Sequence, residues 1–407
     1  MRVLFISPSY PAEMVQFTRG LAEVGAQVLG VGDQGLEQVP EPARSLLSGY
    51  LQVETLWNES AVIEELRCWL GDTGVDRIEC LWEPGMVLAA KLREAFSVPG
   101  MSVEQTQLFR DKERMKAALD AAGVRTPRHR RADTIDAVRE AAEAIGYPLM
   151  VKPIAGAGSA DTYQVSAPKE LERVLQLTRH VSEVSVEEFI DGEEHTFDTI
   201  CIDGEIKYFN IAWYRPRVLI SRSLQWVSPQ TVTLRNVDRP DLEPGRRLGR
   251  EVLDALGFRT GFTHMEWFLT PGGEAVFVEI AARAPGARSS ELMNYGCDID
   301  VYRGWAEAVC LGRFTQQVDR KYNSVVVFKR AQGPDKGRIA RIEGLGGLMA
   351  RYGDHVVYLE LLPIGSERRN WKHTLISDGY AIIRHPDLQT TLEMADRFGM
   401  ELQIYAK

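Results

Sequence analysis

Apolar and polar residues follow two rhythms along this chain, and the changes between them mark its organisation. Arg2–Ile6 is an apolar run of strand length, and about 13–24 (EMVQFTRGLAEV) has helical spacing that ends at Gly25. Gln27–Val31 is a second apolar strand, stopped by Gly-Asp. VIEELRCWL (62–70) predicts a helix that leads to DRIECLWE (76–83), and VLAAKLREAF (87–96) predicts another helix. This strand–helix alternation over residues 1–101 predicts a doubly wound α/β domain on a parallel sheet. The first turn, SPSYP, lacks G-x-G-x-x-G, so no dinucleotide site is expected there.

FSVPGMS (96–102) reads as a boundary. From Ser102 a helical region is expected through QTQLFRDKERMKAALDAAG to Gly123, with Pro127 a little beyond. DTIDAVREAAEAIG (133–146) predicts an amphipathic helix with Asp133 as N-cap and Gly146 at its end. YPLMVKPIAGAGSADTYQV then reads as strand, glycine-rich loop and strand, and APKELERVLQLTRHV as a helix. Antiparallel strands are expected through VSVEEFIDGEEHTFDTICIDGEIKYFNIAW, followed by a helix over 246–257 and a hairpin around TPGGE. After a helical stretch near 300–311, residues 324–407 are strand-rich, with a closing helix TTLEMADRFG.

Composition narrows the class. A chain of 407 residues predicts two to three domains, and 44% apolar with 26% charged residues is the balance of a soluble globular protein. A net charge of −9 argues against a general nucleic-acid binder while leaving room for local basic pockets. Five scattered cysteines without a C-x-x-C pair suggest neither zinc nor a disulfide framework, and fit a reducing compartment. The apolar run in MRVLFISPSYP is too short for a signal peptide, and no later run approaches membrane-spanning length. A cytoplasmic protein without membrane or nucleic-acid partners is expected.

The candidate chemistry starts with two acids in THMEWFLTPGGEAVFVEI. A turn over Pro271–Glu274 pairs Glu266 with Glu279 across an antiparallel hairpin, with Cβ atoms roughly 4.5–5.5 Å apart. Like charges so placed need a proton, a cation or open solvent, and their apolar neighbours Met265, Trp267, Phe277 and Ile280 make open solvent the poorer choice. A hard divalent cation shared by both carboxylates answers the pattern; an exposed sheet face bearing unrelated glutamates is the alternative, and a one-residue slip removes the pairing. Lys152 precedes a loop containing Gly156, Gly158 and Ser159, a geometry that closes backbone N–H groups over phosphates, although a plain turn has the same composition. It is not a Walker A motif. Arg283 and Arg288 follow Glu279 in a small-residue loop; Arg288 either binds a substrate carboxylate or pairs with Glu291. Arg215 and Arg217 either point at the anionic site or decorate a loop, the loop being the preferred reading, and His195 and Cys297 read as structural residues.

In this order, RDKxxM, PLMVKPxxGxGS, EEFIxGxE and ExW…VEI followed by an arginine resemble the ATP-grasp superfamily of carboxylate–amine ligases over nearly the whole chain. The resemblance implies an α/β and α+β architecture, an ATP-grasp fold with an N-terminal doubly wound domain (1–101). An ATP-grasp core (102–316, with about 125–186 as a small lid) and a strand-rich C-terminal lobe (317–407) would follow. It implies that Lys112 and Lys152 contact ATP phosphates under the loop of Gly156, Gly158 and Ser159. Glu187, Glu188, Phe189 and Ile190 would form the hinge holding adenine, and Glu194 would bind ribose. Glu266 and Glu279 would hold Mg²⁺, with Mn²⁺ as the alternative. EIAARAPGA, with Ala281 where many members place a third ligand, and the preceding His264-Met265-Glu266 are similar to L-amino-acid ligases of the bacilysin-synthetase kind. There Arg283 would lie near the transferred phosphoryl group, and His264, Arg283 and Arg288 near the substrates. The implied activity is ATP-dependent amide formation between a small carboxylate and an amine, with a homodimer among the assemblies it allows. The alternatives are an ATP-grasp carboxylase or ligase for another acid, and a regulatory nucleotide binder that has lost catalysis.

Overall fold

The computed structural model describes residues 1–154, 161–372, 374 and 376–407. Strands β1 (Arg2–Ile6), β2 (Gln27–Gly32), β3 (Leu47–Gln52) and β4 (Arg77–Glu79) form a parallel sheet in the order β3-β2-β1-β4. Successive β1 side chains go to opposite faces, as strand geometry requires. Leu4 and Ile6 pack with residues of helices Glu59–Leu70 and Met86–Phe96, whereas Val3 and Phe5 pack with Phe17, Tyr302 and Trp305. The doubly wound arrangement follows from that alternation. β3, with its mixed sequence LSGYLQ, has no apolar signal to announce it.

Strands β5 (His129–Ala132), β6 (Leu149–Pro153), β7 (Tyr163–Val165) and β8 (Val184–Glu188) form a small antiparallel sheet ordered β5-β8-β6-β7. Leu149 and Val151 of β6 and Val184 and Val186 of β8 join a core with Val138, Ala142, Leu171 and Val174 from helices Ile135–Ile145 and Pro168–Leu177. The intervening residues Met150, Lys152, Ser185 and Glu187 are thereby committed to the opposite face.

From residue 193 onward the chain adds β9 (Glu193–Ile202), β10 (Glu205–Arg215), β11 (Gln230–Thr233), β12 (Gly261–Leu269), β13 (Ala275–Ala281), β14 (Asn323–Lys329), β15 (Ile339–Glu343), β16 (Val356–Leu361), β17 (Gly379–His385) and β18 (Gln403–Ala406). A large sheet runs β13-β12-β9-β10-β11-β14-β17-β16, while β15 pairs with β18. Behind it, helix Glu243–Ala255 buries Gly245, Leu248, Gly249, Val252 and Leu253, the i, i+3, i+4, i+7, i+8 stripe of an amphipathic helix. Two glycines on that stripe permit close approach. A Cβ at Gly245 would lie 2.2 Å from the Trp267 ring, and one at Gly249 would lie 2.4 Å from Phe197.

Three local expectations need correction. The helical region expected from Ser102 to Gly123 is two helices, Val103–Gln107 and Lys112–Ala121, because the Asp111 carboxylate accepts from Glu113 N and Arg114 N at 3.0 Å and starts a new helix. The N-cap of the helix Ile135–Ile145 is Thr134, whose hydroxyl accepts from Ala137 N, and not Asp133. Part of the small-residue run after Glu279 is helical, with a helix from Ser289 to Cys297.

The helix–sheet approach yields a stability prediction. Gly249→Val should lower stability by about 1–3 kcal/mol through overpacking against Phe197. Gly346→Ala, in a helix where an added Cβ meets nothing within 4 Å, should be neutral or stabilising. Paired thermal melts of the two variants measure the difference.

Candidate active site

The free face of the small sheet and one face of the large sheet enclose a cleft lined by Lys112, Lys152, Glu187, Glu194, Arg217, Glu266 and Glu279, with Met150, Ile190 and Phe268 as apolar walls. Strand alternation accounts for the gathering. Glu194, Thr196 and Asp198 of β9 share a face with His264, Glu266 and Phe268 of β12, since Asp198 pairs with His264, Thr196 with Glu266 and Glu194 with Phe268. The other face carries His195, Phe197, Met265 and Trp267; His195 is buried and stacks on Trp267 at 4.9 Å and Trp213 at 6.3 Å. Burial drives its pKa down to about 4, as a packed neutral imidazole requires. Cys297 is likewise buried and free.

The hairpin pairs Glu266 with Glu279, but by a route the sequence arithmetic does not contain. Next to the turn the register runs one residue out of step, with Trp267 opposite Phe277, Phe268 opposite Val276 and Leu269 opposite Ala275. A β-bulge leaves Val278 without a partner and restores the expected register from Glu266–Glu279 through Met265–Ile280 to His264–Ala281. Val278 and Glu279 consequently both line the cleft.

Each carboxylate there has its own counter-group. Glu279 Oε2 lies 2.8 Å from Lys112 Nζ. Burial alone would raise its pKa, but Lys112, Lys152 and Arg283 pull it down to about 2. Glu266 Oε1 accepts from the Tyr214 hydroxyl at 3.3 Å and lies 3.5 Å from His264 Nε2. His264 Nδ1 is 2.6 Å from Asp198 Oδ1; against burial, Asp198 and Glu266 raise the imidazole to about 9. Glu194 is pushed up to about 8 by burial and then by the charge of Glu266, while its Oε2 accepts from Val218 N at 2.7 Å. Two facing carboxylates, one held ionised, are the hard oxygen donors that Mg²⁺ or Mn²⁺ takes. Among the described residues no group of three or more His, Cys, Asp or Glu side chains forms a fuller cage. A cation here would complete its shell with water or substrate oxygens.

Lys152 Nζ is 2.8 Å from Glu187 Oε2, and Lys116 is paired with Oε1 of the same carboxylate. The Ser185 hydroxyl, with one proton to donate, lies 2.8 Å from Glu187 Oε1 and also against Glu113 Oε1. Despite burial, the two lysines hold the Glu187 carboxyl well below the usual range. Glu188 also borders the cleft, accepting from Arg128 N at 3.1 Å and standing 3.5 Å from the Arg125 and Arg128 guanidinium groups. Phe189 lies under Arg217, whose guanidinium is 4.9 Å from its ring and 4.5 Å from that of Phe268. Arg217 also donates to Ile190 O at 3.2 Å. It is thus part of the cleft wall and not loop decoration, whereas Arg215 bonds Gln230 and Asp396.

Arg283 is half-buried against Glu83, donating from Nε at 2.9 Å and Nη2 at 2.7 Å, and Arg110 pairs with the same carboxylate. Glu83 thereby ties the loop after β4 to the loop after β13. Arg288 takes the second of its expected alternatives: it pairs with Glu291 at 2.9 Å and lies over the Tyr380 ring, apart from the cleft-lining residues. Gly156, Gly158 and Ser159 lie outside the described residues.

Sequence reading misses Lys116, Asp198, Tyr214 and Glu83. Asp198 and Tyr214 are legible in principle, since both lie on the sheet face that carries Glu194 and Glu266. Lys116 stands one helical turn after Lys112, but a lysine at that spacing is ordinarily solvated. Glu83 and Arg283 are brought together by tertiary structure alone.

The Glu187 geometry carries a pH prediction. Its folded pKa is depressed, so the stability it contributes is present above the unfolded value of about 4.3 and is lost as pH falls toward the folded value. Thermal melts should show wild type losing more stability than Glu187→Gln between about pH 5 and pH 3. Parallel acid limbs would count against the ion triad.

Residues 111–205 match the family described as carbamoyl-phosphate synthase L chain, ATP binding domain. In sequence the chain is 24% identical over 234 residues to an L-arginine-specific L-amino acid ligase of Bacillus subtilis, covering 56% of this chain and 56% of that protein. It is 25% identical over 278 residues to an alanine–anticapsin ligase of Bacillus subtilis, covering 63% and 58%. The chain therefore spans less than two thirds of the length of these curated relatives. In fold it is similar to the crystal structure of an L-amino acid ligase from Bacillus licheniformis, with a TM-score of 0.79, 19% identity and coverage of 100% and 98%. N5-carboxyaminoimidazole ribonucleotide synthetase from Thermotoga maritima is similar too, with a TM-score of 0.74, 17% identity and coverage of 100% and 99%. The chain thus has an ATP-grasp fold, its residues 111–205 match an ATP-binding domain, and L-amino acid ligases are among its relatives in sequence.

Proposed function

We propose that this protein is an ADP-forming carbon–nitrogen ligase that activates a small carboxylate as an acyl phosphate and transfers the acyl group to an amine. Both substrates are read as amino-acid-like. The observation that carries the reading is the pair Glu266–Glu279, set face to face across a bulged hairpin in a cleft that also holds Lys112 and Lys152.

In this reading Glu266 and Glu279 would hold Mg²⁺, which supplies charge neutralisation at the phosphates when bound. Lys112 and Lys152 bind phosphate oxygens. The segment Glu187–Ile190 holds adenine, walled by Met150 and Phe268. Glu194, with its carboxyl raised to about 8 and Oε2 already accepting from Val218 N, has its other oxygen free to carry a proton and donate to a ribose hydroxyl. Arg283, oriented by Glu83, faces negative charge developing on the phosphoryl group in transit. His264, fixed by Asp198, and Arg283 border the substrates; Arg288, bonded to Glu291, enters this reading only as a more distant substrate contact.

The reaction then runs in two balanced steps. A carboxylate oxygen forms a bond to the γ-phosphorus as the bond to the β,γ-bridging oxygen breaks, giving acyl phosphate and ADP. The amine nitrogen attacks the acyl carbon, phosphate leaves, and the nitrogen loses a proton to give the amide. An acyl phosphate hydrolyses readily, so the small sheet with its helices, over about 125–186, serves as the lid that excludes water. No side-chain nucleophile takes part.

Purified protein with Mg²⁺-ATP and a panel of amino-acid pairs should release phosphate and yield a dipeptide detectable by mass. Tight ATP binding with no turnover on any pair would support a regulatory binder, and bicarbonate-dependent ADP release a carboxylase; either overturns the reading. Glu279→Gln should lower turnover by at least about 100-fold while the melting temperature is retained. Unchanged activity in a folded variant removes the metal assignment.

A further inference from the structure

Glu187 is shared by two lysines of different standing. Lys152 lies on β6 at the cleft wall, 2.8 Å from Oε2. Lys116 lies on helix Lys112–Ala121, has 0% of its surface exposed and pairs with Oε1. It is not among the residues lining the cleft, so no ligand there can reach it. Ser185 completes the set at 2.8 Å from Oε1. Packing alone does not call for a cation at position 116, where methionine has similar length and no desolvation cost.

An exchange of partners explains its presence. A lysine that binds ATP phosphates must leave the carboxylate it holds beforehand. Removing one partner from a buried ion pair strands a charge at a cost of several kcal/mol, and that cost would be charged against nucleotide binding. With two lysines on one carboxylate, the buried one remains when the other departs. We propose that Lys116 is a positioning residue that keeps Glu187 neutralised, so that Lys152 is released to the nucleotide phosphates without stranding a buried acid. The proposal rests on the reading above that Lys152 contacts ATP.

Burial pushes Lys116 down to about 8 against the pull of Glu187, so near pH 7 it still carries its proton. The groups facing it from the neighbouring elements are Glu187, Lys152 and His129, together with Glu113 on its own helix. Glu113 is engaged elsewhere, with Ser185 and with His129 at 2.8 Å. Glu187 is thus the carboxylate whose charge Lys116 answers.

The test is a double-mutant cycle on the full chain, with the dissociation constant of Mg²⁺-ATP read by calorimetry and folding checked by circular dichroism. Lys116→Met should weaken ATP binding by about 10-fold or more, because among the described residues Lys152 is then the sole lysine partner of Glu187. Adding Glu187→Gln to that variant should return affinity to within about 3-fold of Glu187→Gln alone, since the acid that detained Lys152 is gone. A merely structural role predicts the reverse, a double variant weaker than either single one. If Lys116→Met fails to fold, the double variant, which leaves no acid at position 187 to be stranded, still reports: affinity far below that of Glu187→Gln overturns the proposal. So does a folded Lys116→Met that binds ATP like wild type. Absence of ATP binding by wild type itself would instead remove the nucleotide reading on which the inference stands.

Discussion

Removing a carboxylate from water costs several kcal/mol unless a cation or a proton compensates it, and this constraint governs the arrangement around the cleft. Glu279 is held by Lys112, Glu187 by Lys116 and Lys152, Glu83 by Arg110 and Arg283, and Glu266 by the Tyr214 hydroxyl and the imidazole of His264. Glu194 is met by burial and by the nearby charge of Glu266, and it shifts toward its neutral form. These pairings join elements far apart in the chain. The helix starting at Lys112 reaches β13 through Glu279 and β8 through Glu187, and the loop after β4 reaches the loop after β13 through Glu83. Charge compensation therefore links the small sheet, the large sheet and the parallel sheet around one volume.

Such a cleft sits between two binary decisions made by strand alternation. On β6 and β8, valine and leucine face two helices, which leaves Lys152, Ser185 and Glu187 on the other side. On β9 and β12, Phe197, Met265 and Trp267 face helix Glu243–Ala255, leaving Glu194, Asp198, His264 and Glu266 on the cleft side. The polar residues are gathered because the apolar ones are committed elsewhere. The two glycines of that helix belong to the same logic, since the helix must approach closely to cover broad aromatic rings.

Much of this is legible in the order of residues alone. Apolar runs locate β1 and β2, helical spacing locates the helices around 14–23 and 62–70, and counting back from the turn puts Glu266 opposite Glu279, a pairing the folded hairpin reaches only through the bulge at Val278. Legibility fails where local sequence is neutral and tertiary contact decides. β3 is too mixed in character to announce a strand, Asp111 interrupts a pattern whose apolar spacing continues through it, and Lys116 has the composition of a solvated helix face. Arg217 sits beside proline in a stretch that reads as loop, and only the folded chain brings Phe189 and Phe268 beneath it. For Arg288 the residues allow either a substrate carboxylate or Glu291, and the three-residue helical spacing around Ser289 decides for Glu291.

The bulge at Val278 has a further bearing on how this hairpin tolerates change. β12 is anchored along its other edge by an unbroken register with β9, from Gly261–Cys201 to Leu269–Glu193. β13 is the outer strand of the sheet, and its alignment at the acids is restored above the bulge, independently of how the turn begins. The tip around Pro271–Glu274 is exposed, is tied to the rest of the chain by Glu274 with Arg125 at 3.1 Å, and does not itself set the alignment of the carboxylates. It is the natural point at which a tag, a reporter or a longer loop can be spliced into this chain while the spacing of the two acids stays fixed.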